Sequence, residues 1–501
     1  MLRLAGIFTL IPHIWTLLRE SKSMKTSRRY FLKGTVATAA IASTVPCVSA
    51  QPNSAPIYQA TGLRIGEVTP TTAIVWTRLT KNTARNNDGV VFKKRGKSEE
   101  ALNTPVESIE GACPGQPGKV RLVYWPAEEK QNAITTSWMN VNEEGDYIHQ
   151  FPLEGLNPQT TYHLRSETLI EGQPPHGALI GKFRTAPEAD VVAPVKFCVM
   201  TCQGYPDRDH PDGHPIYPSM QDKDPDFISL TGDLIYYDND APSAMTSDLA
   251  RLHWQRMFSL PRLVEALRNT STYWLKDDHD TLDDDSWPGQ TYGEFTFEEG
   301  QKIYRQQAPL GSQSYRTFRW GKDLQIWLTD GRDFRTPNKM KDGPEKTIWG
   351  AEQKAWFKRT VAASDASWKV LISPTPIVGP DRKNKNDNHS NATYSHEGNE
   401  IRQWLQANVP DNFFVVCGDR HWQYYSIHPE TGVKEFSVGA ASNSHAGGTP
   451  GRDPKYHRFH KVQGGFLNVR VDGNKDRSWI VFQLCDVDGE VAFEQTFEAD
   501  R

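Results

Sequence analysis

From residue 57 to 187 apolar and polar residues alternate in short runs, among them GLRIGEVTPTTAIVWTRL, VRLVYWP, AITTSWMNV and DYIHQFPLEGLNPQTTYHLRSET. A period of two sends successive side chains to opposite faces of a strand, and the Gly, Pro and Asn residues between runs mark turns. The pattern predicts an antiparallel sandwich of the immunoglobulin or fibronectin III type, with Tyr162 as the aromatic anchor of a strand entered through the turn Leu156-Asn157-Pro158. Past a linker at 186–194 the pattern changes. Unbroken apolar runs at 195–200, 227–230, 324–328, 370–372 and 413–416 have the length of buried strands. Amphipathic stretches of helical period, 248–268, 350–363 and 399–408, lie between them, and strands alternating with helices predict an α/β layer structure. Alternation returns over 466–497, which predicts a sheet completed late in the chain.

At 501 residues the chain is long for one domain, given about 100–200 residues each. Its N-terminus differs in kind. Ser27-Arg28-Arg29-Tyr30-Phe31-Leu32-Lys33 precedes a weakly apolar Ala/Thr-rich run and Val48-Ser49-Ala50, the layout of a twin-arginine export signal with its cleavage site. The run is too short and too poor in Leu and Ile to span a bilayer. Met24 stands where such signals begin, so residues 1–23 precede a second candidate start. The expected organisation is a signal at 1–50, a β-sandwich at 51–187 and an α/β domain at 195–500. The expected location is periplasmic or extracellular, with the twin-arginine machinery as a partner and no membrane span in the mature chain. Setting the first 50 residues aside removes seven Lys/Arg and one Glu, leaving 50 basic and 60 acidic residues and a net charge of −10. That balance argues against specific nucleic-acid binding. Five cysteines remain, an odd number, so at least one thiol is unpaired.

Four apolar runs end in polar, chemistry-bearing residues. The run before Thr231-Gly232 presents Asp233, and Tyr236 follows three residues later; a carboxylate and a phenol from one loop are hard oxygen donors suited to Fe³⁺. The run at 195–200 leads to Cys202, which reads either as a thiolate ligand or as a small buried residue. Thr272-Tyr273-Trp274-Leu275 leads into Asp277-Asp278-His279-Asp280, with Asp283, Asp284 and Asp285 just beyond. So many acids in one stretch repel one another unless cations are bound or water surrounds them, and the embedded His279 favours a metal loop that carries a proton donor. The run at 413–416 reaches Gly418-Asp419-Arg420-His421, where Asp419 and His421 can point the same way. Asp330-Gly331-Arg332-Asp333-Phe334-Arg335 reads equally as a phosphate grip by Arg332 and Arg335 or as a structural salt-bridge loop.

GDLIY, DDHD and GDRHW in this order, behind a Cys-Gln strand end and an AIVWTR strand, resemble the PhoD-like alkaline phosphatases over essentially the whole mature chain. The resemblance implies a metallophosphoesterase-type α/β sandwich preceded by an all-β immunoglobulin or fibronectin III-like domain, and hydrolysis of phosphoric esters by metal-activated water. It implies Fe³⁺ with Ca²⁺, ligands Cys202, Asp233, Tyr236, Asp278, Asp419 and His421 with Asp233 bridging, and His279 with Asp278 in catalysis. Arg332, Arg335, Arg420 and His389 are the implied substrate contacts, and small phosphate esters the substrates. The chain departs from the family's pattern at Asp280, Asp283 and Asp284, which alters the charge around the second cation. Two alternatives stand beside this one: a phospholipase D-like or phosphotriesterase activity at the same site, and a non-catalytic envelope- or carbohydrate-binding protein.

Overall fold

The structure is a computed structural model that describes residues 56–170 and 174–500. The export signal expected at 1–50 lies outside them. The alternating N-terminal third folds into two facing antiparallel layers. Leu63–Gly66, Thr72–Arg78 and Ile148–Glu154 make one layer, and Gly118–Pro126, Thr161–Leu169 and His176–Arg184 with two short strands make the other. Val75, Phe151 and Leu153 of the first meet Val120, Leu122 and Leu164 of the second, as a period of two requires. The Asn157 N–H donates to the Tyr162 hydroxyl at 2.8 Å, the corner contact expected of that tyrosine.

The first layer continues beyond the sandwich. Leu63–Gly66 pairs in parallel with Ser271–Leu275, and the sheet runs on through Phe227–Thr231 and Val195–Met200 to the C-terminal strands Gly465–Gly473, Arg477–Asp486 and Val491–Asp500, nine strands in all. The two segments that read as consecutive domains therefore share a sheet, and Leu63–Gly66 covers an edge of Ser271–Leu275 that would otherwise stand open. A second sheet of seven strands carries Leu324–Leu328, Trp368–Ser373 and Phe413–Cys417 in parallel at its centre.

The two sheets pack face to face. Phe197, Val199 and Phe227 of one and Ile326, Val370, Phe414 and Val416 of the other belong to one core. Each sheet also has a helix-covered outer face. Cys198, Met200, Ile228 and Leu230 pack with Trp254, Leu263 and Ile303 of the helices Ser247–Phe258, Pro261–Asn269 and Phe297–Gln307. Trp327, Leu371 and Val415 pack with Phe357, Val361, Ile401 and Leu405 of the helices Gly350–Ala363 and Ser395–Asn408. Burial on both faces explains why these strands read as unbroken apolar runs.

Two expected helices differ in detail. The stretch 248–268 is two helices, because Pro261 has no N–H to continue the first but suits the opening turn of the second. The helix expected at 399–408 begins earlier, at Ser395, where Asp342 Oδ2 accepts the Ser395 hydroxyl and the His396 N–H. All five cysteines of the described residues are buried free thiols.

Candidate metal centre

The carboxyl ends of four central strands, three from one sheet and one from the other, converge on one place. Val195–Met200 delivers Cys202, Phe227–Thr231 delivers Asp233, Ser271–Leu275 delivers Asp277, Asp278 and His279, and Phe413–Cys417 delivers Asp419 and His421. Cys202, Asp233 and Asp419 all adopt left-handed backbone conformations, with φ of 53°, 54° and 61°. Asn and Asp enter that region more readily than other L-residues, so the strain is greatest at Cys202, and such strain gathers at functional sites. Gly418 lets the sheets meet here. A Cβ on it would lie 2.5 Å from Thr231 O, 2.7 Å from Thr201 Oγ1 and 2.8 Å from Pro374 O.

Four triads place their donor atoms within 4.8 Å of one another: Cys202, Asp233 and His421; Asp233, Asp278 and His279; Asp233, Asp277 and Asp419; and Asp278, Asp284 and Asp285. Asp233 belongs to the first three. Its Oδ2 lies 3.3 Å from Cys202 Sγ and 3.4 Å from the Tyr236 hydroxyl, which is itself 3.4 Å from His421 Nε2. Burial first, and then repulsion from Asp278, pushes the Asp233 carboxyl well above the usual carboxylate range. Burial and the Asp233 charge do the same to the Cys202 thiol and the Tyr236 phenol. Burial together with His445 and Arg420 holds His421 neutral, with pyridine-type nitrogen available. Asp233 Oδ1, Asp277 Oδ2 and Asp278 Oδ1 are buried without a hydrogen-bond partner. Buried orphaned carboxylate oxygens are costly. Bound cations would satisfy them and reverse the upward shifts of Asp233, Cys202 and Tyr236, so the oxygen donors of this set fit hard metal ions.

His279 is held differently. Its Nδ1 lies 2.7 Å from Asp238 Oδ1. Burial alone would lower its pKa, but the Asp238, Asp278 and Asp233 carboxylates together raise it well above the ordinary histidine value. Asp278 contrasts with Asp233. Burial opposes its ionisation, yet Arg332, His279 and Lys385 keep it well below the usual range. Asp280 is no cleft ligand: its carboxylate accepts the N–H groups of Leu234, Ile235 and Asp277 at 2.7, 3.1 and 2.9 Å, tying the Asp233 loop to the Asp278 loop.

Four predicted substrate contacts stand away from the cleft. Arg332 is fully buried, 2.5 Å from Asp277 Oδ1 and 3.4 Å from Asp278 Oδ1. With Lys276 paired to Asp330 and Asp333, the 330–335 loop is a salt-bridge structure. Arg335 donates to the Asp387 carbonyl at 2.6 Å and faces the Tyr394 ring. Arg420 is buried against Asp381 at 2.7 Å, and His389 is buried 2.9 Å from Glu397. In each case a neighbouring acid or carbonyl takes at least one of the donors and holds the group inside the protein. The open cleft, about 460 Å³, is lined by Asp233, Tyr236, His279, Asp419 and His421, and its basic groups are Arg95, Arg382, Lys385 and His445. His445 contacts the Tyr236 hydroxyl at 3.0 Å and Asp207 at 3.1 Å. Sequence reasoning missed these four. Arg95, Arg382 and Lys385 sit in the basic stretches KKRGK and DRKNK, which read as solvated charge, and the histidine in the Gly-rich NSHAGG loop after an apolar run offered a further signal.

The model of the PhoD-like phosphatase family matches residues 197–463, and that of the PhoD-like phosphatase N-terminal domain matches 42–187. Among solved structures, PhoD aligns over 90% of this chain and 92% of its own at 18% identity, TM-score 0.67. The purple acid phosphatase PPD1 from yellow lupin (Lupinus luteus) seeds aligns over 88% and 74% at 13% identity, TM-score 0.60. No curated protein matches the sequence at a significant level. The first family model spans more than half of the chain, and the fold is that of a metallophosphoesterase preceded by β-strands. The alternative of a non-catalytic binding protein falls with that match, and the chain belongs to the PhoD-like phosphatases, hydrolases acting on phosphoester bonds.

Proposed function

We propose that the protein is an exported phosphomonoesterase or phosphodiesterase working at a centre of Fe³⁺ and Ca²⁺, with water as the nucleophile. The observation that carries this is the position of Asp233, one buried carboxylate shared by three donor triads. The carboxylate of Asp233 and the phenol of Tyr236 are hard donors that an Fe³⁺ ion favours, with Cys202, Asp419 and His421 as the further ligands on that side. On the other side the oxygen-only group Asp278, Asp284 and Asp285 suits Ca²⁺. Bound there, the cations supply neutralisation of the phosphoryl oxygens and a water of lowered pKa.

The chain's own groups do the rest. Arg95, Arg382 and Lys385 at the cleft offset the surplus of acids and draw an anionic ester in. His279, fixed through Nδ1 by Asp238, lines the cleft with its Nε2 3.9 Å from Asp284 and is placed to protonate the leaving alkoxide. Iron and calcium analysis of the purified protein, followed by a panel of phosphate mono-, di- and triesters, tests this. Stoichiometric iron with mono- or diester turnover is expected. A metal-free active enzyme, or turnover of triesters or phosphatidylcholine alone, would overturn it.

Export rests on the Ser27-Arg28-Arg29-Tyr30-Phe31-Leu32-Lys33 string. Replacing Arg28 and Arg29 by lysines should hold the precursor in the cytoplasm, and normal export of that variant would count against the signal.

A further inference from the structure

A second cavity, about 490 Å³, adjoins the metal cleft, and Arg95 and Asn239 line both. Val90, Val91, Phe92, Ile109, Ala241 and Pro242 form an apolar wall in it, with charged side chains on the remainder. Val90 and Val91 are 44% and 63% exposed, two large apolar side chains side by side at a site rim. Among its polar groups, Tyr205 and Glu110 are already engaged. The Tyr205 hydroxyl donates to Glu110 at 2.7 Å, Arg85 holds the same carboxylate at 2.7 Å, and the guanidinium groups of Arg208 and Arg256 lie 4.3 and 4.7 Å from the Tyr205 ring centre. A polyol lying along the apolar walls would leave part of its hydration shell without replacement bonds.

The cavity is also coupled to the acid. The Gly96 N–H donates to Ser243 Oγ at 2.8 Å, and that hydroxyl donates to the Asp238 carbonyl at 2.8 Å. Asp238 in turn holds His279, and Asn239 follows it in the chain and faces both spaces. The two spaces thus meet at Arg95 and Asn239, and an alcohol leaving the phosphoryl group in the cleft has the apolar walls beside it.

We infer that this cavity is the subsite for the alcohol portion of the substrate and selects phosphoesters of apolar, ring-sized or short-chain alcohols over those of sugars or glycerol. Its volume falls within the range of about 300–1,000 Å³ typical of small-molecule sites. The inference rests on the phosphoesterase reading and adds a substrate class to it.

The test uses the metal-loaded protein with methyl, n-butyl and 2-phenylethyl phosphate, whose alcohols are of similar acidity, and glycerol 1-phosphate as the polyol control. kcat/KM should rise about tenfold or more from methyl to 2-phenylethyl, as pocket burial of several methylenes implies, and glycerol 1-phosphate should fall with methyl. Val91→Asp, at an exposed position, should flatten the series while leaving methyl phosphate turnover unchanged, and Phe92→Ser should do the same. The matching alkyl phosphonates, titrated calorimetrically, read the subsite without turnover. A flat series in the wild type, or a rise that survives both substitutions, would overturn the subsite. Phosphonate affinities that rise with size and flatten in Val91→Asp would uphold it even with no ester hydrolysed, an outcome that would count against the hydrolase reading alone.

Discussion

Asp238 Oδ1 stands 2.7 Å from His279 Nδ1, so the histidine that faces the cleft is oriented by a carboxylate from the loop that also carries Asp233 and Tyr236. One loop thus supplies both candidate ligands and the group that aims the acid. Asp238→Asn removes the charge that raises His279 while keeping the shape. It should lower kcat by about 10- to 100-fold and shift the alkaline limb of the kcat profile to lower pH. His279→Asn should cost about 10²–10⁴-fold, the usual range for a general acid. An unshifted limb in Asp238→Asn would make this pair structural only.

The centre built on Asp233 has a spectroscopic consequence. A phenolate on Fe³⁺ gives a visible charge-transfer band, so the purified protein should be coloured; Tyr236→Phe should bleach it, and Cys202→Ser should move it while weakening iron retention. Asp233→Asn should strip both metals yet leave the sandwich strands folded by circular dichroism, because an amide supplies a dipole where two cations need a charge. A colourless, iron-free, fully active protein would remove Tyr236 and Cys202 from the ligand set.

Gly418 sits between strand ends of the two sheets, hemmed by Thr231 O, Thr201 Oγ1 and Pro374 O. Two of these are backbone atoms and the third is a buried hydroxyl that donates to the carbonyls of Thr231 and Gly232. None can yield cheaply. Gly418→Ala should therefore destabilise the fold by about 1–3 kcal/mol, the usual cost of overpacking, and reduce metal binding. Thermal unfolding and metal analysis check this, and an unchanged melting temperature would contradict it.

His214 responds to acid. It is fully buried, its Nε2 lies 3.2 Å from the Gly204 carbonyl, and its Nδ1 has no partner. Burial, joined by lesser repulsion from His445 and Arg208, outweighs the opposing hydrogen bond to Gly204 and the opposing Asp209 charge and lowers its pKa to about 3. The sign follows from linkage. Between the unfolded value near 6.5 and about 3, the unfolded chain binds a proton that the folded chain refuses, so stability is complete above that window and is lost as pH falls through it. His214→Gln should reduce the loss of melting temperature between pH 7 and pH 4.5 relative to wild type. An identical pH slope in both proteins would assign the acid sensitivity elsewhere.

Strand position and layer class were legible from the sequence alone, because a strand buried on both faces must be an unbroken apolar run and a half-buried one must alternate. Val195–Met200, Leu324–Leu328 and the helix Gly350–Ala363 stand where the pattern puts them. The strand-end residues were legible for a related reason. Asp233 and Asp419 follow a glycine at the end of such a run, where the chain must turn out of the sheet at its ligand-binding edge. Tertiary structure alone decided which charges face the cleft. Arg332 meets Asp277 across 55 positions, Arg420 meets Asp381 across 39, and Arg95 arrives from the N-terminal segment. Local pattern reports burial through hydropathy, which an arginine in a buried ion pair does not obey. The partner that neutralises it is brought near only by the packing of two sheets, as is the sharing of one sheet by segments that read as separate domains.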